Sequence, residues 1–272
     1  MTLMCQILKV SRSGYYAWRK RPASSRHQKQ EKLLEKIDAV HQQSRRLYGS
    51  PRVHRQLISQ GEKVSENTVA RLMKARKIRS EIKKRFKVRT TDSNHAHPVA
   101  ANVLDRQFQQ NKPNVVWASD ITYIPTDQGW LYLAAVIDLY SRKIVGWAMA
   151  DHLKSELALG ALNMALARRK PEGELLHHSD RGVQYACGDY RSRLEEKSMV
   201  CSMSRSGNCY DNAVMESFFG TLKCELVYRE KYATHEQARS SIFEYIEVFY
   251  NRNRIHSSLG YKSPEQFEAG LC

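Results

Sequence analysis

Val115-Val116-Trp117-Ala118-Ser119-Asp120-Ile121-Thr122-Tyr123-Ile124 is an apolar and aromatic run interrupted by one charge, Asp120. Its β-branched and aromatic content predicts a strand. A lone carboxylate inside such a strand is costly to bury unless something pairs with it, so Asp120 requires a cation. Two more strand-like stretches follow, Trp130 to Asp138 and Lys143 to Met149. The connections, Pro125 to Gly129 and Leu139 to Arg142, are short enough for antiparallel neighbours, giving a three-stranded meander.

Beyond the meander the period changes. Ser155 to Arg169 reads as a helix with Leu157, Ala161, Met164 and Ala165 on its apolar side. A short strand at Glu174 to Asp180, a helix near Tyr190 to Lys197 and a strand at Met199 to Met203 complete the series. Strands separated by helices imply parallel pairing, hence an α/β fold with a mixed five-stranded sheet and flanking helices. Three antiparallel strands followed by alternating helix and strand is the ribonuclease H arrangement, in which the first and fourth strands lie side by side. Asp120 and Asp180 then meet although 59 residues separate them.

Glu216 lies in Asp211 to Gly220, a segment that reads as a helix with Val214, Phe218 and Leu222 as its apolar stripe. Glu216, Gly220 and Lys223 fall on a neighbouring face. Three carboxylates thus converge. Hard carboxylate oxygens suit Mg²⁺ or Mn²⁺, and two such ions about 3.5–4 Å apart stabilise the attacking and leaving oxygens of a phosphodiester displacement. Lys223 is expected to reach a phosphate beside the cut, with Gly220 allowing close approach of a strand. His178, two residues before Asp180, is expected to share the active-site face. Asp127, Asp138, Asp151, Asp189 and Asp211 read as turn caps or surface groups.

The 272-residue chain carries a formal charge of +16, unevenly spread. Residues 1–112 hold 26 Lys+Arg against 8 Asp+Glu, and the rest hold 18 against 20. A basic arm is therefore attached to a nearly neutral body. A polyanion suits that arm, because each cation that neutralises a phosphate releases a counterion; charge alone also fits a membrane surface or a basic protein with no nucleic-acid role.

Within the arm, Leu33, Leu34, Ile37 and Val40 share one helical face. Tyr48-Gly49-Ser50-Pro51 breaks the pattern, with Ser50 and Pro51 as cap and first turn of a helix carrying Val53, Leu57 and Ile58. After Gly61, Ser65 caps a polar helix that turns Thr68, Arg71 and Lys74 outward. The outline is that of a helix-turn-helix, and equally that of a plain helical hairpin. Expected boundaries are a basic helical region at 1–78, a basic linker at 79–112, a catalytic core at 113–232 and a helical extension at 233–272. In the extension Ile242, Tyr245, Ile246 and Phe249 read as core, while Arg252, Arg254, His256 and Lys262 either touch DNA or solvate the end of the domain. His95-Ala96-His97, beside Pro98, reads as linker rather than as a metal-binding pair.

Six cysteines without a Cys-x-x-Cys pair argue against both a disulfide framework and a four-ligand zinc site. No apolar run approaches the roughly 20 residues that span a bilayer, and no signal-peptide pattern is present, so a cytoplasmic, nucleoid-associated protein is expected.

Trp117 to Tyr123, Val136-Ile137-Asp138-Leu139-Tyr140-Ser141-Arg142, His178-Ser179-Asp180-Arg181-Gly182-Val183-Gln184-Tyr185, and Asp211-Asn212-Ala213 leading to Glu216-Ser217-Phe218-Phe219 occur together. Tyr250-Asn251-Arg252, His256 and Leu259-Gly260-Tyr261-Lys262-Ser263-Pro264 follow, and Ser11-Arg12-Ser13-Gly14-Tyr15-Tyr16 precedes them. In this combination the chain resembles the second-frame product of insertion-sequence transposases of the IS-three type, relatives of retroviral integrases. The resemblance implies an Asp, Asp, Glu triad at Asp120, Asp180 and Glu216 that holds Mg²⁺ or Mn²⁺. It also implies a route in which hydrolysis frees a 3′-hydroxyl that attacks a second phosphodiester. Lys223, His178, Arg71, Lys74 and Arg181 are the expected DNA contacts.

Retroviral integrases carry an N-terminal His/Cys zinc module, whereas residues 1–112 hold only Cys5, so no zinc is expected. Family members act fused to a first-frame product that binds element ends and dimerises. This chain is expected to start at the second frame, to bind double-stranded DNA of ends and target, and to work as at least a dimer. Two rival readings remain: a ribonuclease H-type nuclease that cuts without joining, and a non-catalytic DNA-binding regulator.

Overall fold

The structure is a computed structural model that describes residues 2–22, 24–82, 98–206 and 208–270. The chain divides into two compact units, Met1–Ser80 and Glu81–Cys272.

The first unit holds α1 (Thr2–Ile7), α2 (Arg12–Lys20), α3 (Ser25–Gln43), α4 (Ser50–Ser59) and α5 (Glu66–Ala75). Ser24 and Ser65 cap α3 and α5 by accepting from the backbone N–H groups of His27 and Thr68. Leu34, Ile37 and Val40 of α3 are buried, as are Val53 and Leu57 of α4 and Val69, Leu72 and Met73 of α5. These three helices share a small core. The cap of α4 is Gly49 rather than Ser50, which together with Pro51 lies inside the first turn, where backbone N–H groups have no helical partner to lose. Gly61 turns the chain toward α5 at φ +86°, a conformation that disfavours a side chain. Ile58 stays exposed.

The second unit begins with β1 (Val116–Thr126), β2 (Gly129–Asp138) and β3 (Ile144–Ala150). Next come α6 (Ser155–Arg169), β4 (Leu175–Ser179), α7 (Val183–Ala186), α8 (Gly188–Glu196) and β5 (Met199–Met203). A 3-10 turn at Cys209–Asn212 leads into α9 (Ala213–Leu222), which continues as a π-helical turn, Lys223–Val227. The unit closes with α10 (His235–Phe243), a π-helical segment Glu244–Tyr250, and α11 (Pro264–Ala269).

Five strands form one sheet in the order β3-β2-β1-β4-β5. The meander is antiparallel, and β4 pairs parallel to both β1 and β5. Trp117, Val136 and Val145 on the sheet meet Leu157, Leu162 and Ala165 of α6 in the main core. Gly146 is what lets α6 approach β3: a Cβ there would stand 2.2 Å from the Ala161 carbonyl oxygen. Ile242, Tyr245, Ile246 and Phe249 are buried as the sequence pattern requires.

Of the expected linker 79–112, residues 83–97 lie outside the described residues, and 98–112 are irregular, without helix or strand, yet packed on the second unit. Leu104 is buried, and the backbone N–H groups of Val103 and Leu104 donate to Ser202 Oγ on β5. His95 and His97 lie outside the described residues. Among the described residues no helix is long and apolar enough to cross a membrane.

Candidate active site

Asp120 stands on β1, two residues past the point where β4 stops pairing with that strand, since only Val116 to Ala118 face β4. Asp180 follows one residue after β4 ends, not within it. Parallel pairing brings the two strand ends together. Asp180 accepts from the Gly182 backbone N–H at 2.9 Å. Gly182 suits that place, because a Cβ there would sit 3.0 Å from the same carboxylate oxygen.

Glu216 enters from α9. That helix packs on β1 and buries Met215, Phe218, Phe219 and Leu222, so the buried stripe is shifted from the expected one and Val214 is only half-buried. The start of α9 is moored beside Asp120, where Asn212 Nδ2 donates to the Ser119 carbonyl at 3.2 Å. Glu216 is half-buried, while Gly220 is exposed with open space where a side chain would project.

Electrostatics registers the gathering of these acids. Desolvation, the neighbouring Asp180 and, more weakly, Glu216 push the Asp120 carboxyl well above the usual carboxylate range. A hydrogen bond from the Ile121 N–H and the charge of Lys223 oppose the rise. Like charges disfavour one another in a site partly removed from water. Lys223 Nζ lies 4.6 Å from the centroid of the Tyr123 ring. Among the described residues no three His, Cys, Asp or Glu side chains are already gathered into a set that could hold a metal ion. The donors nonetheless fit a divalent cation: all three are hard oxygen ligands, and a cation would replace their mutual repulsion with attraction.

His178 departs from its expected role as a DNA contact. It has no exposed surface; Nδ1 meets Ser202 Oγ at 2.9 Å and Nε2 meets Ser204 Oγ at 3.1 Å. Burial lowers its pKa to about 4. Strand alternation does put it on the Asp120 face, but β5 and the chain leaving it seal it from DNA. Arg181 is half-buried, donating from Nε to the Ser204 carbonyl at 2.7 Å. Arg71 and Lys74 are exposed on α5 in the other unit.

Three acidic groups are buried: Asp138 and Asp211, expected as turn caps or surface groups, and Glu225, not singled out at all; Asp138 does cap the turn after β2. Asp138 accepts from the Asn114 and Tyr140 N–H groups and from Arg169 Nη2. Asp211 accepts from the Arg205 guanidinium and backbone N–H, from Arg106 Nε and from Asn102 Nδ2, all within 3.0 Å. These partners hold its carboxyl far below the usual range, the Arg205 side chain foremost. Glu225, in the π-helical turn, pairs with buried Arg254 through two hydrogen bonds of 2.7 and 2.8 Å and accepts from Tyr245 OH. Arg254 therefore neither touches DNA nor solvates the domain end.

Three family models match, described as an HTH-like domain over residues 28–86 and as an integrase core domain over residues 110–209 and 216–270. The chain is 47% identical to the uncharacterized 31 kDa protein of insertion element IS600 from Shigella sonnei, covering 97% of each. It is 42% identical to transposase InsF for insertion sequence IS3A of Escherichia coli, over 97% of this chain and 92% of that one. The chain belongs to the IS3 family of insertion-sequence transposases. It is a transposase with an integrase catalytic core, and so a polynucleotidyl transferase by family. The fold agrees with a chain of the simian T-cell lymphotropic virus intasome, solved in complex with PP2A regulatory subunit B56 gamma. That likeness has a TM-score of 0.50 at 14% identity, over 85% of this chain and 74% of the other.

Proposed function

We propose that Asp120, Asp180 and Glu216 are the catalytic carboxylates of this transposase and that they hold Mg²⁺ or Mn²⁺, two ions per site. The observation that carries this reading is the meeting of Asp120 on β1, Asp180 at the end of the β4 that pairs with it, and Glu216 on the helix α9 moored beside Ser119, where the charges of Asp180 and Glu216 act on Asp120. When bound, the metal supplies Lewis-acid stabilisation of charge on the reacting phosphate oxygens. The chain's own residues do the positioning. Asp180 is oriented by the Gly182 N–H, Glu216 by the mooring of α9 on β1, and Lys223 offers a cation to the phosphate beside the cut.

The reaction runs in two displacements at phosphorus. Water attacks the phosphodiester at an element end, breaking a P–O bond and leaving a 3′-hydroxyl. That hydroxyl then attacks a target phosphodiester, forming a new P–O bond and releasing a 3′-hydroxyl from the target. No protein nucleophile is needed. The basic first unit, with Arg71 and Lys74 exposed on α5, binds duplex DNA, and Arg181 contacts the strand near the site. One active site serves one end at a time, so pairing two ends takes at least a dimer, acting with the first-frame product of the same element as a fusion.

The test is a Mg²⁺-dependent assay with labelled element ends and a plasmid target. Wild-type protein should cut and join, whereas Asp120→Asn and Glu216→Gln should do neither while still binding DNA. Cutting without joining would point to a simple nuclease. Unchanged behaviour of Glu216→Gln would overturn the assignment.

A further inference from the structure

Among the described residues no strand pairs with β1 on the β4 side beyond Ala118. Strand alternation puts Tyr123 on the face opposite Asp120. Even so, the Lys223 ammonium sits 4.6 Å from the Tyr123 ring and acts on the Asp120 carboxyl. Tyr123 in turn meets Trp130 edge to face, with centroids 4.9 Å apart at 85°. The two are diagonal neighbours across the first hairpin, because Trp130 is in register with Pro125 and Tyr132 with Tyr123. Trp130 is 51% exposed, whereas Trp117 in the same unit is fully buried.

A cation that acts on the carboxylate cluster, a half-buried tyrosine beside that cation and an exposed indole against the tyrosine are the components of a single-strand binding track that leads from the cluster round to the other face of the hairpin. Cations follow the phosphates, and aromatic faces take up unpaired bases regardless of sequence. We propose that Lys223, Tyr123 and Trp130 form a stacking platform for an unpaired base of the DNA strand held at Asp120. Lys223 takes the phosphate and Trp130 the base.

The proposal rests on reading Asp120, Asp180 and Glu216 as the cutting site, and it adds a distance. Tyr123 is three residues beyond Asp120 and Pro125 is five, so the platform spans about 10–17 Å along the strand at roughly 3.3 Å per residue. A strand within a duplex advances about 3.4 Å per nucleotide, and an unpaired strand is more extended. The stacked base therefore lies within roughly five nucleotides of the scissile phosphate, and base pairs there must be open when the end is engaged.

Fluorescence anisotropy without divalent metal tests this, since nothing is then cut. The probes are three forms of the element's terminal duplex: fully paired, unpaired over those positions, and unpaired with abasic sites there. The full chain should prefer the unpaired end and lose about fivefold or more on the abasic one, as expected for roughly 1 kcal/mol or more of stacking. Trp130→Ala should bind intact and abasic ends equally, and Trp130→Phe should keep most of the preference. If Trp130→Ala discriminates as wild type does, or if wild type prefers paired ends, the platform is wrong. Asp120→Asn should retain the base preference; its cutting activity with Mg²⁺ judges the carboxylate assignment separately.

Discussion

The acids around Asp120 and those at Asp211 and Glu225 are all drawn from distant parts of one unit, with opposite electrostatic results. Asp211 is surrounded by arginines and an amide, which drive its pKa down. Asp120 has acids for neighbours, which help burial drive its pKa up. Burying a carboxylate is costly in either case. At Asp211 and Glu225 the chain offsets that cost with arginines, whereas at Asp120 it adds like charges, which the Ile121 N–H and Lys223 oppose without bringing the carboxyl back to its ordinary range. A carboxylate cluster of the second kind stores a demand for a cation; one of the first kind fixes the backbone.

The Glu225 pair should therefore show the largest stability effect. Arg254 is 5% exposed and its guanidinium makes both of its ion-pair hydrogen bonds to Glu225. Truncating one partner of a buried pair leaves the other charge stranded, at a cost of about 3–5 kcal/mol. Glu225→Ala should lower the melting temperature by roughly 10 °C, taking about 2–4 °C per kcal/mol for a domain of this size. Combining Glu225→Leu with Arg254→Met should recover most of the loss. Failure of the double variant to recover would mean that the π-helical turn itself needs the charges.

The Asp120 group should respond the other way. Under the proposed assignment Mg²⁺ is held by the three acids, and it should then stabilise wild type, by roughly 2.7 kcal/mol at a hundred times its dissociation constant. Asp120→Asn should melt no lower than wild type without metal, because it removes a repelled charge, and should lose the Mg²⁺-induced rise. Thermal scans with and without Mg²⁺ decide this. A metal shift that survives in Asp120→Asn would place the ion elsewhere.

What the sequence revealed follows the same division. The meander, α6 and β5 were legible because local period and connection length set them, and the adjacency of β1 and β4 because the order of elements matches the ribonuclease H arrangement. Asp120 stood out because its strand is otherwise apolar and aromatic. The compensated acids were not legible: Asp138 depends on Arg169, and Asp211 on Arg106, a partner 105 residues away. His178 lies on the Asp120 face as parity predicts, yet Ser202 and Ser204 seal it from the DNA it is expected to contact. Residues 98–112 lack periodicity because their order comes from Ser202 and from the Arg106–Asp211 contact rather than from an apolar stripe. Pairing across such separations leaves no mark on local pattern.

Asp211 gives the smallest effect and the finest test of the contrast, because its arginines are partly exposed and solvent weakens their hold. Its folded pKa lies below the unfolded value of about 3.9, so its contribution is complete above that pH and fades as acid protonates it. Asp211→Asn removes the titration while keeping an oxygen acceptor for Arg205 and Arg106. The variant should thus be less stable than wild type at neutral pH, and the gap should narrow steadily below about pH 4. Denaturant melts at a series of pH values would show it. A gap that stayed constant into acid would mean that Asp211 holds the entrance to α9 by shape alone, and the distinction between charge-matched and charge-strained acids would then not extend to this site.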